Sequence, residues 1–174
     1  MRSGGIVNNL KKFVVMRHGQ EAYGELTTKS AEDVEWLAGR LKEIIGSLSF
    51  AIITSTAPRA IATQKVISNV LTHASTDQVI LNPDLWIAYD SPGNGGPWDT
   101  ITITRKAWSG IARASDNAEV IIVITHADLI LELLEFAYSQ LRWSSPPKKR
   151  TFAAGEAIVL DNETETAEYI TPQK

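Results

Sequence analysis

The sequence predicts an α/β protein, a three-layer sandwich in which helices cover both faces of a mostly parallel central sheet. Two patterns support this fold class: short runs that are apolar throughout, and longer segments of helical periodicity that alternate with them. Fully apolar strands are typical of parallel sheets, because helices cover both of their faces. With 174 residues, 44% of them hydrophobic, the chain is long enough for one sizeable core. We therefore expect a single domain over residues 1–174, with residues 1–11 as a flexible N-terminal extension.

Each element is predicted from its local pattern. Helical periodicity begins after Ser30, which with Asp33 has the spacing of a capping box. Since the first four strands are separated by helices, right-handed crossovers make most strands parallel. The predicted helices cover roughly residues 31–45, a segment starting at Pro58, about 100–114, and a segment from Leu129 onward. The predicted strands are 13–16, 50–53, 78–81, 120–124, 157–160 and 167–170.

Composition excludes several classes of protein. No cysteine is present, so the chain has no disulfide, no thiolate nucleophile and no cysteine-containing metal site. The formal charge of −3 gives no reason to expect a nucleic-acid partner. Neither a signal peptide nor an apolar stretch of about 18 residues is found, which indicates a soluble cytoplasmic protein without a membrane partner. Oligomeric state has no readable signature in the sequence.

Basic side chains follow three of the predicted strands at the point where each strand ends. Arg17 and His18 come directly after the first strand, Arg59 lies one helical turn beyond the second, and His126 follows the fourth. Because the carboxyl ends of parallel strands meet at one edge of a sheet, we expect these side chains to share a crevice. A lone histidine or arginine is more often structural or solvated, and His73 is interpreted in that way. Four basic groups at one edge instead favour an anion site.

Phosphate is the anion that these groups suit best. The planar guanidinium of arginine matches phosphate oxygens and keeps its charge at working pH. The negative charge of a phosphate dianion is balanced by two arginines, one protonated histidine and the amides of a helix N-terminus. His18 is then left as the attacking group, since a neutral imidazole nitrogen is a competent nucleophile. We find no convincing set of metal ligands, and this chemistry requires neither a metal nor another cofactor.

Three blocks, in this order along the chain, carry a resemblance to a known family. Arg17-His18-Gly19 closes the first predicted strand, residues 54–63 read Thr-Ser-Thr-Ala-Pro-Arg-Ala-Ile-Ala-Thr, and residues 123–130 read Val-Ile-Thr-His-Ala-Asp-Leu-Ile. With the closing hairpin they resemble the histidine phosphatase, or phosphoglycerate mutase-like, superfamily over about residues 13–171. The family patterns are Arg-His-Gly, "TSPLxRAxQT" and "V.HGDVI". The second block departs from its pattern by an extra residue between the serine and the proline.

The resemblance implies a phosphoglycerate mutase-like fold and a metal-independent phosphoric monoester hydrolase. His18 attacks the phosphorus atom in line and forms a phosphohistidine, which water then hydrolyses. Arg17, Arg59 and His126 stabilise the charge on the phosphoryl oxygens, and Gln20 is assigned to phosphate binding as well. The expected partner is a small phosphorylated substrate or a phosphoprotein.

The family's usual proton donor for the leaving oxygen is missing. That donor is a glutamate after the third strand, and Ile87 stands in its place when Leu85 is aligned with the family's leucine. Asp90 is the preferred replacement, because its position between Tyr89 and Ser91 could turn it toward the crevice. The other candidates are Asp84, Asp99 and Asp128.

Two other functions stay open beside a phosphatase for small metabolites. General acid–base assistance contributes about 10²–10⁴-fold, so a chain without the donor still suits a good leaving group, as in protein phosphohistidine. A non-catalytic phosphate-binding module is the second alternative, although the intact His18 argues against it. Specificity depends on loop shape, and Trp86, Tyr89 and Trp98 are expected to contact the organic part of a small substrate.

Overall fold

The computed structural model describes residues 9–71, 78–86, 100–145 and 147–172. The central sheet contains β1 (Lys12–Arg17), β4 (Phe50–Thr54), β5 (Gln78–Leu81), β6 (Val120–Thr125), β7 (Ala157–Asp161) and β8 (Thr166–Ile170). A separate hairpin is formed by β2 (Glu21–Ala22) and β3 (Glu25–Leu26). The helices are α1 (Thr28–Ile45), α2 (Pro58–Val70), α3 (Thr100–Ala114) and α4 (Ala127–Leu141), with a short 3-10 helix at Pro83–Leu85.

The six strands lie in the order β5-β4-β6-β1-β7-β8. The first four in this order are parallel to one another, whereas β7 is antiparallel to β1, and β8 to β7. At the centre of the sheet, Val14 of β1 lies between Ile122 of β6 and Val159 of β7. The predicted mostly parallel α/β sheet is thereby confirmed. The adjacent strands β4, β6 and β1 all end beside the region that carries the basic residues.

Side chains of β1 alternate between two apolar cores, one on each face of the sheet. Phe13 and Val15 pack with buried residues of α3 and α4. Val14 and Met16 pack with buried residues of α1 and α2. All four are fully buried, which explains why the run shows no polar alternation. The three layers predicted from the sequence are therefore present.

The start of α1 differs from the capping-box prediction. The helix begins at Thr28, and the side chain of Thr27 accepts a hydrogen bond from the backbone N–H of Ser30 at 3.2 Å. Ser30 is buried, and its Oγ accepts a hydrogen bond from the N–H of Gln20 at 2.7 Å. The capping box at Ser30 is therefore wrong, because this hydroxyl holds the loop after β1 rather than the end of its own helix.

The β2–β3 hairpin was not anticipated from the sequence. Its two turn residues, Tyr23 and Gly24, have φ angles of 57° and 88°, which is the geometry of the tight turns that match the twist of a hairpin. Glycine adopts positive φ freely, so Gly24 was the one available signal. The N–H of Gly24 donates to Oε1 of Glu21 at 2.9 Å, and this bond holds the carboxylate of Glu21 in place.

Part of the predicted N-terminal extension is held against the sheet. Leu10 is buried, and the backbone N–H of Lys11 donates to the carbonyl of Glu119 at 2.8 Å. Residues 1–8 lie outside the described residues. Leu10 and Lys11 are thus held in place ahead of β1.

Candidate active site

A crevice of about 680 Å³ opens beyond the carboxyl ends of the parallel strands. Its position follows from topology, since the turns after β1, β4 and β6 converge on one edge of the sheet. Basic, neutral polar and acidic side chains share its wall. They are Arg17, His18, Arg59 and His126, then Gln20, then Glu21 and Asp128.

His18 directly follows β1 and is held at both its backbone and its ring. Its N–H donates to the carbonyl of Thr125 at 3.0 Å, and its Nδ1 lies 2.7 Å from the carbonyl of Gly19. Nε of Arg59 donates to Nε2 of His18 at 3.0 Å. Because the arginine can only donate, Nε2 carries the lone pair and Nδ1 carries the proton. The tautomer is therefore one in which Nε2 can act as a nucleophile.

His126 precedes the first residue of α4 and is oriented by two further contacts. Its Nδ1 lies 3.2 Å from Nη2 of Arg59, and its Nε2 lies 2.8 Å from Oγ of Ser55. Since the arginine donates, Nδ1 is the acceptor and Nε2–H donates to the serine. The rings of His18 and His126 have centroids 4.7 Å apart, and Trp86 stacks on His126 at 6.3 Å. Both imidazoles thus present a lone pair to the same guanidinium.

Arg59 lies in the first turn of α2, where Pro58 is well suited to the start of a helix. The Oγ1 of Thr63 donates to the carbonyl of Arg59 at 2.7 Å and accepts from the N–H of Gly19 at 2.9 Å. This hydroxyl connects α2 to the loop after β1. The arginine and the candidate nucleophile are therefore positioned by one shared hydrogen-bond chain.

Arg17 is held by the segment before β7. Its Nη1 donates to the carbonyl of Phe152 at 2.7 Å, while Gly155, with a φ of 78°, donates its N–H to the carbonyls of Arg17 and His18. Nε of Arg17 is buried and has no hydrogen-bond partner among the described residues. Leaving a buried donor unsatisfied costs about 1–3 kcal/mol. An anion in the crevice is a natural partner for this guanidinium.

Comparisons with known proteins support the fold. No family model matches the sequence, and no curated protein matches it significantly. Among solved structures, a mycobacterial glucosyl-3-phosphoglycerate phosphatase aligns with a TM-score of 0.58 at 16% identity, over 92% of this chain and 97% of that one. Phosphoglycerate mutase from Plasmodium falciparum aligns at 0.56 and 22%, over 96% and 91%. The protein histidine phosphatase SixA, complexed with tungstate, aligns at 0.55 and 19%, over 91% and 94%.

The chain has the phosphoglycerate mutase-like fold. The alignments cover more than nine tenths of it, so the fold expected from the three sequence blocks is confirmed. At these identities the likeness establishes the phosphoglycerate mutase-like fold alone. What the crevice does chemically is therefore argued from its own residues.

The electrostatics of the crevice differ from the prediction of one protonated histidine. Burial lowers the pKa of His126 to about 3, and the positive charges of His18, Arg59 and Arg17 act in the same direction. Burial also lowers the pKa of His18, against a raising effect of its hydrogen bond to the carbonyl of Gly19. Both imidazoles are consequently neutral at pH 7, because burial disfavours their charged forms and the two neighbouring guanidiniums add to that effect.

Two of the four predicted proton donors lie among the described residues of this phosphoglycerate mutase-like structure. Asp128 lies in the first turn of α4 and lines the crevice. Asp84 lies in the 3-10 helix, where its N–H donates to Oδ1 of Asn82, and it does not line the crevice. The preferred candidate, Asp90, and Asp99 lie outside the described residues, as do Tyr89 and Trp98.

Glu21 is the wall residue that sequence reasoning missed. It comes two residues after the Arg-His-Gly motif, and that proximity was the available signal. Its location depends on the unanticipated β2–β3 hairpin, which turns the chain back beside the crevice. The carboxylate thus lies close to the groups that would bind phosphate.

Two further findings apply to the described residues. No group of three or more His, Asp or Glu side chains within them is placed to hold a metal ion. No helix in the same ranges is long and apolar enough to cross a membrane.

Proposed function

We propose that the protein is a phosphatase that hydrolyses phosphate monoesters through a phosphohistidine on Nε2 of His18. The observation that carries the proposal is the lone pair of this nitrogen, 3.0 Å from Nε of Arg59, in a crevice that also contains the half-buried guanidinium of Arg17. A nucleophile and two phosphate-binding forks thus lie together. We also propose that the protein is cytoplasmic and that residues 1–174 form one domain.

The first step is exchange of hydrogen bonds at Arg59. Its guanidinium donates to both imidazoles, and phosphoryl oxygens are stronger, charged acceptors for the same N–H groups. When the substrate takes over these donors, the lone pair of Nε2 of His18 is released toward the phosphorus atom. Substrate binding and activation of the nucleophile are therefore one event.

The chemical steps follow from the arrangement of charge. Nε2 of His18 forms a bond to phosphorus while the bond to the leaving oxygen breaks, and that oxygen takes up a proton from solvent water. Arg17, Arg59, His126 and Gln20 stabilise the equatorial oxygens. A phosphate dianion offsets the guanidinium charges that lower the pKa of His126, so binding favours protonation of its Nδ1. Water then attacks the phosphohistidine and returns His18 to its neutral form.

The second candidate function is a phosphohistidine phosphatase. The protein histidine phosphatase SixA, which is complexed with tungstate, is one of the structural neighbours. The described crevice contains neither Asp84 nor a glutamate from that part of the chain, and a phosphoramidate has a leaving group that needs little help from a dedicated acid. A phosphohistidine peptide therefore belongs in the same substrate screen as small esters.

The test is a single-turnover assay with ³²P-labelled substrate, together with steady-state turnover of p-nitrophenyl phosphate. We expect the wild-type protein to retain an acid-labile, alkali-stable phosphoryl group, and His18→Ala to lose both the label and at least about a thousandfold of turnover. His73→Ala, which removes the histidine interpreted from the sequence as structural or solvated, is the matched control. Turnover that survives in His18→Ala would exclude this nucleophile, and binding without turnover in the wild type would favour the non-catalytic module.

A further inference from the structure

One buried hydroxyl lies between the elements that carry Arg59 and His126. Ser55 directly follows β4 and is fully buried. Because β4 and β6 are parallel neighbours with Thr54 opposite Ile124, the residue after β4 lies beside the chain that leaves β6. The N–H of Ser55 donates to the carbonyl of Ile124 at 3.0 Å. The register of the sheet thereby brings the side chain of Ser55 to the start of α4, where His126 lies.

Oγ of Ser55 accepts two hydrogen bonds from these elements. Nε2–H of His126 donates to it at 2.8 Å, and the N–H of Ala57 donates at 3.1 Å. Ala57 is the N-cap residue of α2, and its own side chain makes no capping hydrogen bond. A hydroxyl oxygen has two lone pairs, and these two bonds use both of them. The hydroxyl thus restrains the ring of His126 together with the helix that carries Arg59.

The bond to Ser55 is the second of two that pass through the ring of His126. Nη2 of Arg59 lies 3.2 Å from Nδ1, which accepts because a guanidinium can only donate. The proton of the neutral ring is therefore on Nε2, and a buried N–H without an acceptor is unfavourable. Since His126 is only 6% exposed, solvent is a poor substitute for Oγ of Ser55.

We propose that Ser55 is a positioning residue for phosphoryl transfer, whose hydroxyl holds Nε2–H of His126 and so keeps Nδ1 available to the phosphoryl group. When phosphate binds, Nδ1 takes up a proton from solvent and donates it in a hydrogen bond to a phosphoryl oxygen. The imidazolium then has two N–H donors, and Oγ of Ser55 accepts the second one. This inference rests on the proposed function in taking the crevice as the phosphoryl site.

The charge balance of the site shows why this acceptor matters. Burial, together with the positive charges around the ring, lowers the pKa of His126 to about 3. Hydrogen bonding to the charged form of a group favours that form, and a charged donor makes the stronger bond. A phosphate dianion supplies such an acceptor at Nδ1, and Ser55 supplies one at Nε2. Without the hydroxyl, phosphate should therefore bind more weakly and react more slowly.

The first test is a double-mutant cycle on kcat/KM for p-nitrophenyl phosphate. Ser55→Ala should lower it by about ten- to a hundredfold, and Ser55→Cys, which keeps most of the volume but has a weak acceptor, should show a loss of the same order. Ser55→Ala in a His126→Ala background should lower it further by less than about twofold, because the ring through which Ser55 acts is already gone. A role confined to the turn before α2 predicts the same factor in both backgrounds.

Thr54→Val is the matched control for this cycle. Thr54 is equally buried, and its hydroxyl donates to the carbonyl of Ser55 at 3.3 Å rather than to an imidazole. Valine has nearly the same shape as threonine, so kcat/KM should stay within about twofold of the wild-type value. Urea unfolding checks that every variant is folded under the assay conditions. Should Ser55→Ala be unfolded there, Ser55→Cys takes its place.

The second test needs no turnover. A buried imidazole N–H that is hydrogen-bonded gives a downfield proton NMR signal that exchanges slowly with water. We expect such a signal from Nε2–H of His126, absent in His126→Ala, lost in Ser55→Ala and retained in Thr54→Val. Inorganic phosphate, titrated by calorimetry, should bind Ser55→Ala about tenfold more weakly than the wild type.

Failure of this inference is distinguishable from failure of the proposed function. Turnover of p-nitrophenyl phosphate and labelling of His18 in the wild-type protein test the phosphatase, whereas the NMR signal and the phosphate affinity test Ser55 without any catalysis. A signal that persists in Ser55→Ala, an unchanged affinity for phosphate, or equal losses of turnover in the two backgrounds of the cycle overturns the positioning role of Ser55.

Discussion

The two edges of the central sheet both carry a polar cavity, but their described cations have different partners. At the amino edge, a cavity of about 500 Å³ is lined by Lys11, Ser49 and Glu119 among others. Lys11 pairs with Glu119 at 3.0 Å, and both the N–H and the hydroxyl of Ser49 donate to the same carboxylate. At the carboxyl edge, Arg59 donates to two neutral imidazoles, and Nε of Arg17 has no partner among the described residues.

The difference shows that cavity size does not identify a functional site. At the amino edge, Asn162 donates from its side chain to the carbonyl of Leu10 and from its backbone to that of Lys11, so polar groups there connect strand ends to one another. Ligands bind at the carboxyl edge in such sheets because N–H groups and helix N-termini converge there. A guanidinium that donates to two neutral imidazoles, and a second one with an unsatisfied Nε, are what distinguish the candidate active site.

The largest effect expected from this comparison concerns Arg59 at the carboxyl edge, with Lys11 at the amino edge as its control. Arg59→Ala removes the donors that would hold the phosphoryl oxygens, so kcat/KM for p-nitrophenyl phosphate should fall by about a thousandfold. Arg59→Lys should retain only part of the wild-type kcat/KM, because an ammonium keeps the positive charge but lacks the planar fork of a guanidinium. Lys11→Ala, at the amino edge, should change turnover by less than about twofold. Equal losses in Arg59→Ala and Lys11→Ala would contradict the distinction between the edges.

A smaller effect is expected at the glycine that allows the close approach behind His18. A Cβ at Gly19 would lie 2.6 Å from Oγ of Ser30, which holds the N–H of Gln20. Gly19→Ala should therefore lower the free energy of unfolding by about 1–3 kcal/mol and turnover by about ten- to a hundredfold through misplacement of the nucleophile. Urea unfolding and steady-state kinetics measure the two effects.

Gly39→Ala is the matched control, because nothing lies within 4 Å of a Cβ added there in the middle of α1. Alanine should stabilise this helix by about 0.5–1 kcal/mol and leave turnover unchanged. If Gly19→Ala behaves like Gly39→Ala, the packing of the loop against Ser30 is not what positions His18.

Much of the fold could be predicted from sequence because its strands are buried on both faces. All six residues of β6 are buried, so a continuous apolar run was a sufficient signal, and topology then brought residues at strand ends to one edge. The β2–β3 hairpin could not be predicted in this way, because each of its strands has only two residues and shows no pattern. Its turn also places Tyr23, which is not a glycine, at positive φ. Glu21 was missed for that reason.

The protonation state of the crevice was the other feature that the sequence could not provide. A pattern of basic residues suggests positive charge at each of them, but the pKa of a histidine depends on its burial and on neighbours that only the fold assembles. His126 lies between Arg59 and Ser55 and beside His18. Its neutrality is thus a consequence of tertiary structure.

The smallest expected effect separates the two edges by pH. The pKa of His126 is held at about 3, against an ordinary value of 6.5, so the unfolded chain binds its proton more readily than the folded one. Its contribution to stability is fully present above pH 6.5 and is lost as pH falls from there toward 3, with a slope of at most about 1.4 kcal/mol per pH unit. His18, whose pKa is also lowered, adds in the same direction.

The amino edge responds at lower pH. The hydrogen bonds from Ser49 and the ion pair with Lys11 lower the pKa of Glu119 from an ordinary value of 4.5. The contribution of Glu119 to the free energy of unfolding is therefore lost only as pH falls below 4.5. Urea unfolding between pH 7 and 5 should accordingly show a decline in stability that His126→Gln reduces and Glu119→Gln does not. Added inorganic phosphate should reduce the same decline, because an anion bound between the guanidiniums favours protonated His126 in the folded state. A decline that is unchanged in His126→Gln would show that the crevice does not hold His126 neutral.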